Sequence, residues 1–123
     1  MNGVIVVDKA KGNTSFDEIR KIRKEYNIKK VGHTGTLDPM ATGVLTILVG
    51  EATKLSDYLM NHDKEYVATL SLGEKKDTGD SEGKIIETKK VPVLSEKNVK
   101  ETLKSFEGEI SQIPPKYSAI KVN

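Results

Sequence analysis

Apolar and polar positions divide the chain into alternating strand and helix signals. Val4 to Val7 is a short apolar run followed by a turn signal at Lys11 to Asn13, so the chain opens with a strand. Phe16, Ile19, Ile22 or Arg23, and Tyr26 then recur at helical spacing, which predicts a helix from Ser15 to about Tyr26 with Arg20, Lys21 and Lys24 outward. Ser15, with Glu18 three residues later, has the form of a capping box opening that helix. Val44 to Val49 is continuously apolar except at Thr46 and predicts a buried strand. Ala52 to Met60 predicts a second helix. From Tyr66 the side chains alternate, with Tyr66, Ala68, Leu70 and Leu72 on one face, as a strand requires.

Glu74 to Gly83 is a polar, hairpin-like stretch leading to a strand near Ile85 to Thr88. Ser95 to Phe106 predicts an amphipathic helix through Val99, Leu103 and Phe106. Glu109 to Ile113 and Ser118 to Val122 offer two more short strands around Pro114 and Pro115. Six strands with interspersed helices predict an α+β fold with a mixed, largely antiparallel sheet and flanking helices. No internal repeat, low-complexity tract or interdomain linker interrupts the 123 residues.

Composition narrows the class of protein. With 36% hydrophobic and 31% charged residues, the chain is about one domain long and able to bury a core. It has no cysteine, which excludes disulfides and thiolate metal sites. No apolar run approaches the roughly 20 residues that span a bilayer, and the N-terminus does not read as a signal peptide, so a cytoplasmic protein is the default expectation. The net charge of +2 is unevenly placed: residues 9 to 34 hold eight Lys/Arg against Asp17, Glu18 and Glu25. That excess suits either a polyanion-facing surface or a solvated basic helix face.

Gly32 to Gly43, GHTGTLDPMATG, confines its backbone more tightly than any other stretch. Gly32, Gly35 and Gly43 supply positive φ or close approach, while Pro39 fixes its own φ and pushes Asp38 out of the helical region. A carboxylate is thereby held at a sharp turn, with His33 five residues before it and Thr34, Thr36 and Thr42 supplying hydroxyls. The same residues also fit a structural role, in which Asp-Pro initiates a turn and the histidine is a hydrogen-bonded spacer.

The acidic run Asp77 to Gly83 does not make an EF-hand loop, because its third and twelfth positions are Gly79 and Thr88. His33 and His62 lack the spacing of a zinc set, and no metal or other cofactor is expected. Gly12-Asn13-Thr14-Ser15 lacks the lysine of a phosphate-binding P-loop.

The run Gly32 to Gly43 closely resembles the catalytic motif of the TruB family of tRNA pseudouridine synthases, G-H-T-G-x-L-D-P-x-A-x-G. Further blocks follow in the family's order: GVIVVDKAKG at Gly3 to Gly12, GEATK at Gly50 to Lys54, DKEY at Asp63 to Tyr66, the glycine- and aspartate-bearing loop within Leu72 to Gly83, and PPKYSAIK at Pro114 to Lys121. Two departures are visible: Ala10 stands where the family has proline, and Lys76 where threonine is common.

The resemblance implies a pseudouridine synthase fold and isomerisation of the T-loop uridine at tRNA position 55, with Asp38 as catalytic nucleophile attacking ribose or base. Tyr66 would stack on the target base and serve in proton transfer. Extruding that base costs a few kcal/mol of unstacking, and His33 resembles the family residue that occupies the vacated space. Lys9, Lys11, Lys21 and Lys121 are the candidate RNA contacts, and the partner is the tRNA T-arm. The resemblance further implies that residues 1–123 are the N-terminal portion of the catalytic domain. The family continues with an arginine that pairs with the aspartate and, usually, a C-terminal RNA-binding domain. A full-length enzyme is expected to be a monomer and this shorter chain to self-associate through unpaired strand edges. Two other readings stand beside this one: a non-catalytic RNA-binding module, and a subunit of a guide-RNA particle.

Overall fold

A computed structural model describes residues 1–114. The chain forms two compact units, Met1–Tyr66 and Val67–Asn123.

The first unit is built on a three-stranded antiparallel sheet of β1 (Gly3–Lys9), β2 (Val31–His33) and β3 (Gly43–Val49), in the order β1-β3-β2. β3 is central, and Leu45, Ile47, Leu48 and Val49 are buried in it. The register sets Lys9 opposite Gly43 and His33 opposite Ile47, so the end of β1 lies beside the start of β3. β2 was not anticipated. Three residues containing Gly32 and His33 carry no apolar run, and they form a strand because β3 offers them a ladder.

α1 (Ser15–Tyr26) covers one face of this sheet. Ile19 and Ile22 enter a core with Val31, Leu45, Ile47 and Val49, flanked by Ile5, Val7, Ile28 and Leu37. Each such side chain contributes roughly 1.5–3 kcal/mol of apolar burial. Phe16 and Tyr26, expected on the same face, are about half exposed. The helix is capped one residue earlier than the sequence pattern suggests. Thr14 Oγ1 accepts from the Asp17 amide at 3.0 Å, and Asp17 Oδ2 accepts from the Thr14 amide at 2.8 Å. Ser15 and Glu18 share the same spacing but are buried and engaged elsewhere. Asn27, at φ 52, ends the helix.

After β3, Gly50 turns at φ 63 and donates to Lys30 O at 2.8 Å. The helix expected over residues 52–60 is a 3₁₀ segment at Gly50–Leu55 running into a single α-turn, α2 (Ser56–Leu59). Thr53 Oγ1 donates back to Gly50 O at 2.8 Å and the Ser56 amide bonds Thr53 O, a spacing that tightens the first turn.

In the second unit β4 (Glu74–Lys76) and β5 (Ile85–Thr88) form an antiparallel hairpin with an irregularity at Lys75/Lys76. Its loop occupies its own carboxylates: Asp80 Oδ1 accepts from Thr78 Oγ1 and the Glu82 amide, and Asp77 Oδ1 accepts from the Lys84 amide. The Thr78 hydroxyl and Glu82 amide hold the Asp80 carboxyl below its usual range. α3 (Glu96–Lys104) is capped by Ser95, whose hydroxyl accepts from Asn98 N at 3.1 Å.

The strand expected from Tyr66 to Leu72 does not form, and Val67 and Leu70 are exposed. Alternation defines a face, but a strand also needs a ladder partner, and none is present among the described residues. Glu109 to Ile113 is likewise not a strand. The strand expected at Ser118 to Val122 lies outside the described residues. Every strand pairing among the described residues is antiparallel, within an α+β architecture.

Candidate active-site loop

Residues 34–42 connect β2 to β3, and their backbone is tied down from two sides. Thr34 is buried and its amide donates to Thr46 O at 3.1 Å, which prolongs the β2–β3 pairing into the loop. Three residues on, Leu37 packs against the core and its amide donates to Ser15 Oγ at 3.0 Å. The Ser15 hydroxyl in turn donates to Leu37 O at 3.3 Å.

On the other side of Asp38, Pro39 O accepts from the Gly12 amide at 2.7 Å and from Lys9 Nζ at 3.2 Å. The Ala41 amide closes a turn onto Asp38 O at 2.9 Å. Asp38 therefore sits between two anchored neighbours. Its own side chain is exposed and has no hydrogen-bond partner among the described residues. A carboxylate so presented, on a backbone fixed by its neighbours, is available to an incoming electrophile or proton.

The turn that supplies these anchors is itself a network. Lys9 is completely buried, and its ammonium donates to the carbonyls of Ala10 at 3.0 Å, Asn13 at 2.6 Å and Pro39 at 3.2 Å. Asn13 Nδ2 donates to Glu18 Oε1 at 3.0 Å, and Glu18 also accepts from Lys21 Nζ at 3.1 Å. The expectation that Lys9 meets RNA phosphate is corrected here. Its three donors are taken up by backbone carbonyls and no part of it reaches the surface. Among the described residues, no group of three His, Asp or Glu side chains is arranged to hold a metal ion.

The other expected site residues fall at different places. His33 ends β2 at the base of the loop, partly buried, with Nδ1 enclosed and unpartnered among the described residues. Lys11 is exposed beside the Gly12 turn, and Lys21 is exposed on α1 although paired with Glu18. Tyr66 is exposed at the end of the first unit. Lys121 lies outside the described residues.

Several residues around the loop were not singled out as site residues in the sequence. Ser15 reads as a helix cap, and Gly12 and Asn13 read as an ordinary turn. Lys64, in the DKEY block, passes close enough to Gly35 that a Cβ there would lie 3.6 Å from its Cε. Lys30 and Lys54 both pair with Glu51, whose carboxyl is held below its usual range by Lys54 first and Lys30 second.

Comparison with known proteins gives this loop a context. Residues 23–123 match the family model described as TruB family pseudouridylate synthase (N terminal domain), a match that includes all of Gly32 to Gly43. The chain belongs to the TruB family. It is 56% identical over 122 residues to the tRNA pseudouridine synthase B of Clostridium tetani, covering 99% of this chain and 42% of that protein. The enzyme of the same name from Chromohalobacter salexigens is 50% identical over 121 residues, 98% of this chain and 39% of that protein. This TruB-family chain thus spans about two fifths of the length of these relatives.

Among solved structures, this chain is similar to a chain of a Cbf5–Nop10–Gar1 complex at a TM-score of 0.63 and 31% identity. That match covers 97% of this chain and 31% of the other. A chain of an H/ACA RNP bound to a substrate RNA containing 2'-deoxyuridine gives a TM-score of 0.60 at 29% identity, covering 91% of this chain and 30% of that one. No helix among the described residues is long and apolar enough to cross a membrane.

Proposed function

We propose that this chain carries the catalytic aspartate of a tRNA pseudouridine synthase and forms the N-terminal part of its catalytic domain. The observation that carries the reading is Asp38: an exposed carboxylate, unpartnered among the described residues and held between the anchored residues Leu37 and Pro39, in a TruB-family chain. Isomerising uridine requires the base to leave its sugar, turn over and reattach through carbon, with no net redox change. A carboxylate nucleophile divides that into easier steps by forming and then releasing a covalent bond.

In this reading the substrate is the T-arm of tRNA and the target is its T-loop uridine. The base is extruded before reaction, Tyr66 stacks on it and assists proton transfer, and His33 fills the space it leaves. Lys11, Lys21 and Lys121 contact phosphate, while Lys9 supports the loop from inside. The enzyme works as a cytoplasmic monomer at full length, without metal. Identities of 50% and 56% to proteins named tRNA pseudouridine synthase B, against 29% to a chain of the H/ACA RNP and 31% to one of the Cbf5–Nop10–Gar1 complex, favour free tRNA over a guide-RNA particle.

The test is to give the full-length protein an unmodified tRNA transcript, with no other protein or guide RNA, and to map pseudouridine. Conversion confined to the T-loop uridine is the expected result. Conversion that requires added guide RNA or partner proteins would overturn the reading.

A further inference from the structure

We propose that Ser15 is a positioning residue for Asp38, fixing the peptide plane on the N-terminal side of the catalytic carboxylate. This rests on the reading of Asp38 as the nucleophile and deepens it. Ser15 is 3% exposed, and its single hydroxyl oxygen accepts from Leu37 N at 3.0 Å and donates to Leu37 O at 3.3 Å. One side chain thereby meets both polar groups of one residue, as a neighbouring strand would. The Leu37 carbonyl belongs to the peptide unit that contains the Asp38 nitrogen. Gripping it orients the plane from which the Asp38 side chain projects.

The C-terminal side of Asp38 is already fixed twice over, by the locked φ of Pro39 and by the Gly12 and Lys9 bonds to Pro39 O. On the N-terminal side Ser15 is the nearest anchor. Its own position is set by the core, because Ile19 and Ile22 lie four and seven residues further along α1, on the face that enters the core with Val31, Leu45, Ile47 and Val49. Capping does not account for Ser15, since Thr14 caps the helix. A continuous physical path therefore runs from Ile19 and Ile22 through α1 to Ser15, Leu37 and the reacting group. Misplacement by about 1 Å costs on the order of a hundredfold in rate.

The experiment compares wild type, Ser15→Ala, Ser15→Cys, Asp38→Asn and the Ser15→Ala/Asp38→Asn double variant in the full-length protein. It reads kcat, KM, tRNA affinity and amide hydrogen exchange. Ser15→Ala should lower kcat by about ten- to a hundredfold with KM and tRNA affinity nearly unchanged. It should speed exchange at Leu37 while leaving Ile47 and Leu48 as protected as before. Ser15→Cys, with a weaker donor of similar shape, should fall between, and serves alone should the alanine variant fold poorly.

In the Asp38→Asn background the Ser15 substitution should lower kcat no further, while still speeding exchange at Leu37. An inactive Asp38→Asn protein beside Ser15 variants that keep wild-type kcat and Leu37 protection would overturn the positioning role alone. Loss of protection throughout β3 with kcat and KM altered together would also overturn it, marking Ser15 as general scaffolding. Full activity in Asp38→Asn would instead overturn the reading of the site.

Discussion

Lys9 Nζ donates to the carbonyl of Pro39 at 3.2 Å, joining residues 30 positions apart and tying the end of β1 to the residue that follows Asp38. With Asn13 O at 2.6 Å and Ala10 O at 3.0 Å, the contact makes one buried cation the hub of the turn that supports the loop. Lys9→Met keeps the aliphatic stem and removes the donor, leaving three carbonyls without this partner. The cost should be about 2–4 kcal/mol in chemical denaturation, against about 0.5 kcal/mol or less for Lys11→Ala, whose side chain is exposed. Equal effects from the two substitutions would contradict the hub.

Salt dependence of tRNA binding separates the lysines by a different route. Each cation that neutralises a phosphate releases condensed counterions, so Lys11→Ala and Lys21→Ala should each reduce the slope of log affinity against log salt by about one unit. Lys9→Met should leave the slope unchanged, because its ammonium does not reach the surface. A flattened slope in the Lys9 variant would return that residue to the RNA interface.

The contrast between these lysines shows what the sequence could and could not disclose. β1, α1, β3 and the second hairpin strand follow from apolar spacing, and the Gly32 to Gly43 run marks the loop and its aspartate. Burial of Lys9 was not legible, since a lysine after an apolar strand and before a turn looks the same whether its ammonium meets solvent or folds back on carbonyls. The cap shows a similar ambiguity. Thr14/Asp17 and Ser15/Glu18 have identical spacing, and only packing of α1 on the sheet decides that the first pair caps while the second turns inward. Tyr66 to Leu72 fails as a strand for the complementary reason: its alternation is local, whereas a ladder is not.

The cap has a pH signature. The Thr14 amide, then the Thr14 hydroxyl, and more weakly Arg20 and Lys21 hold the Asp17 carboxyl below its ordinary value of 3.8. Because the folded-state value is depressed, the stability it contributes is fully present above that ordinary value and is lost as pH falls through the folded one. The difference in denaturation midpoint between wild type and Asp17→Ala should therefore narrow as pH falls from about 5 to about 2. A constant difference across that range would show that the carboxylate charge plays no part in the cap.

Apolar side chains in the second unit predict association of the 123-residue chain. Val67 is 100% exposed, Leu70 78% and Ile113 94%, and exposed apolar surface of this kind favours self-contact. Light scattering of the chain should report a mass above the monomer that rises with concentration, and Val67→Ser with Leu70→Ser should lower it. A concentration-independent monomer would rule out association through this surface.

Asp38 is the proposed nucleophile, and Asp38→Asn in the full-length protein tests that role most directly. The amide approximates the carboxylate in shape but is a very poor nucleophile. Turnover of unmodified tRNA to pseudouridine should fall by at least about a thousandfold while tRNA binding largely survives, since the anchors on Leu37 and Pro39 do not involve the carboxylate. Undiminished pseudouridine formation by the Asn variant would contradict the assignment and leave Gly32 to Gly43 as a structural turn.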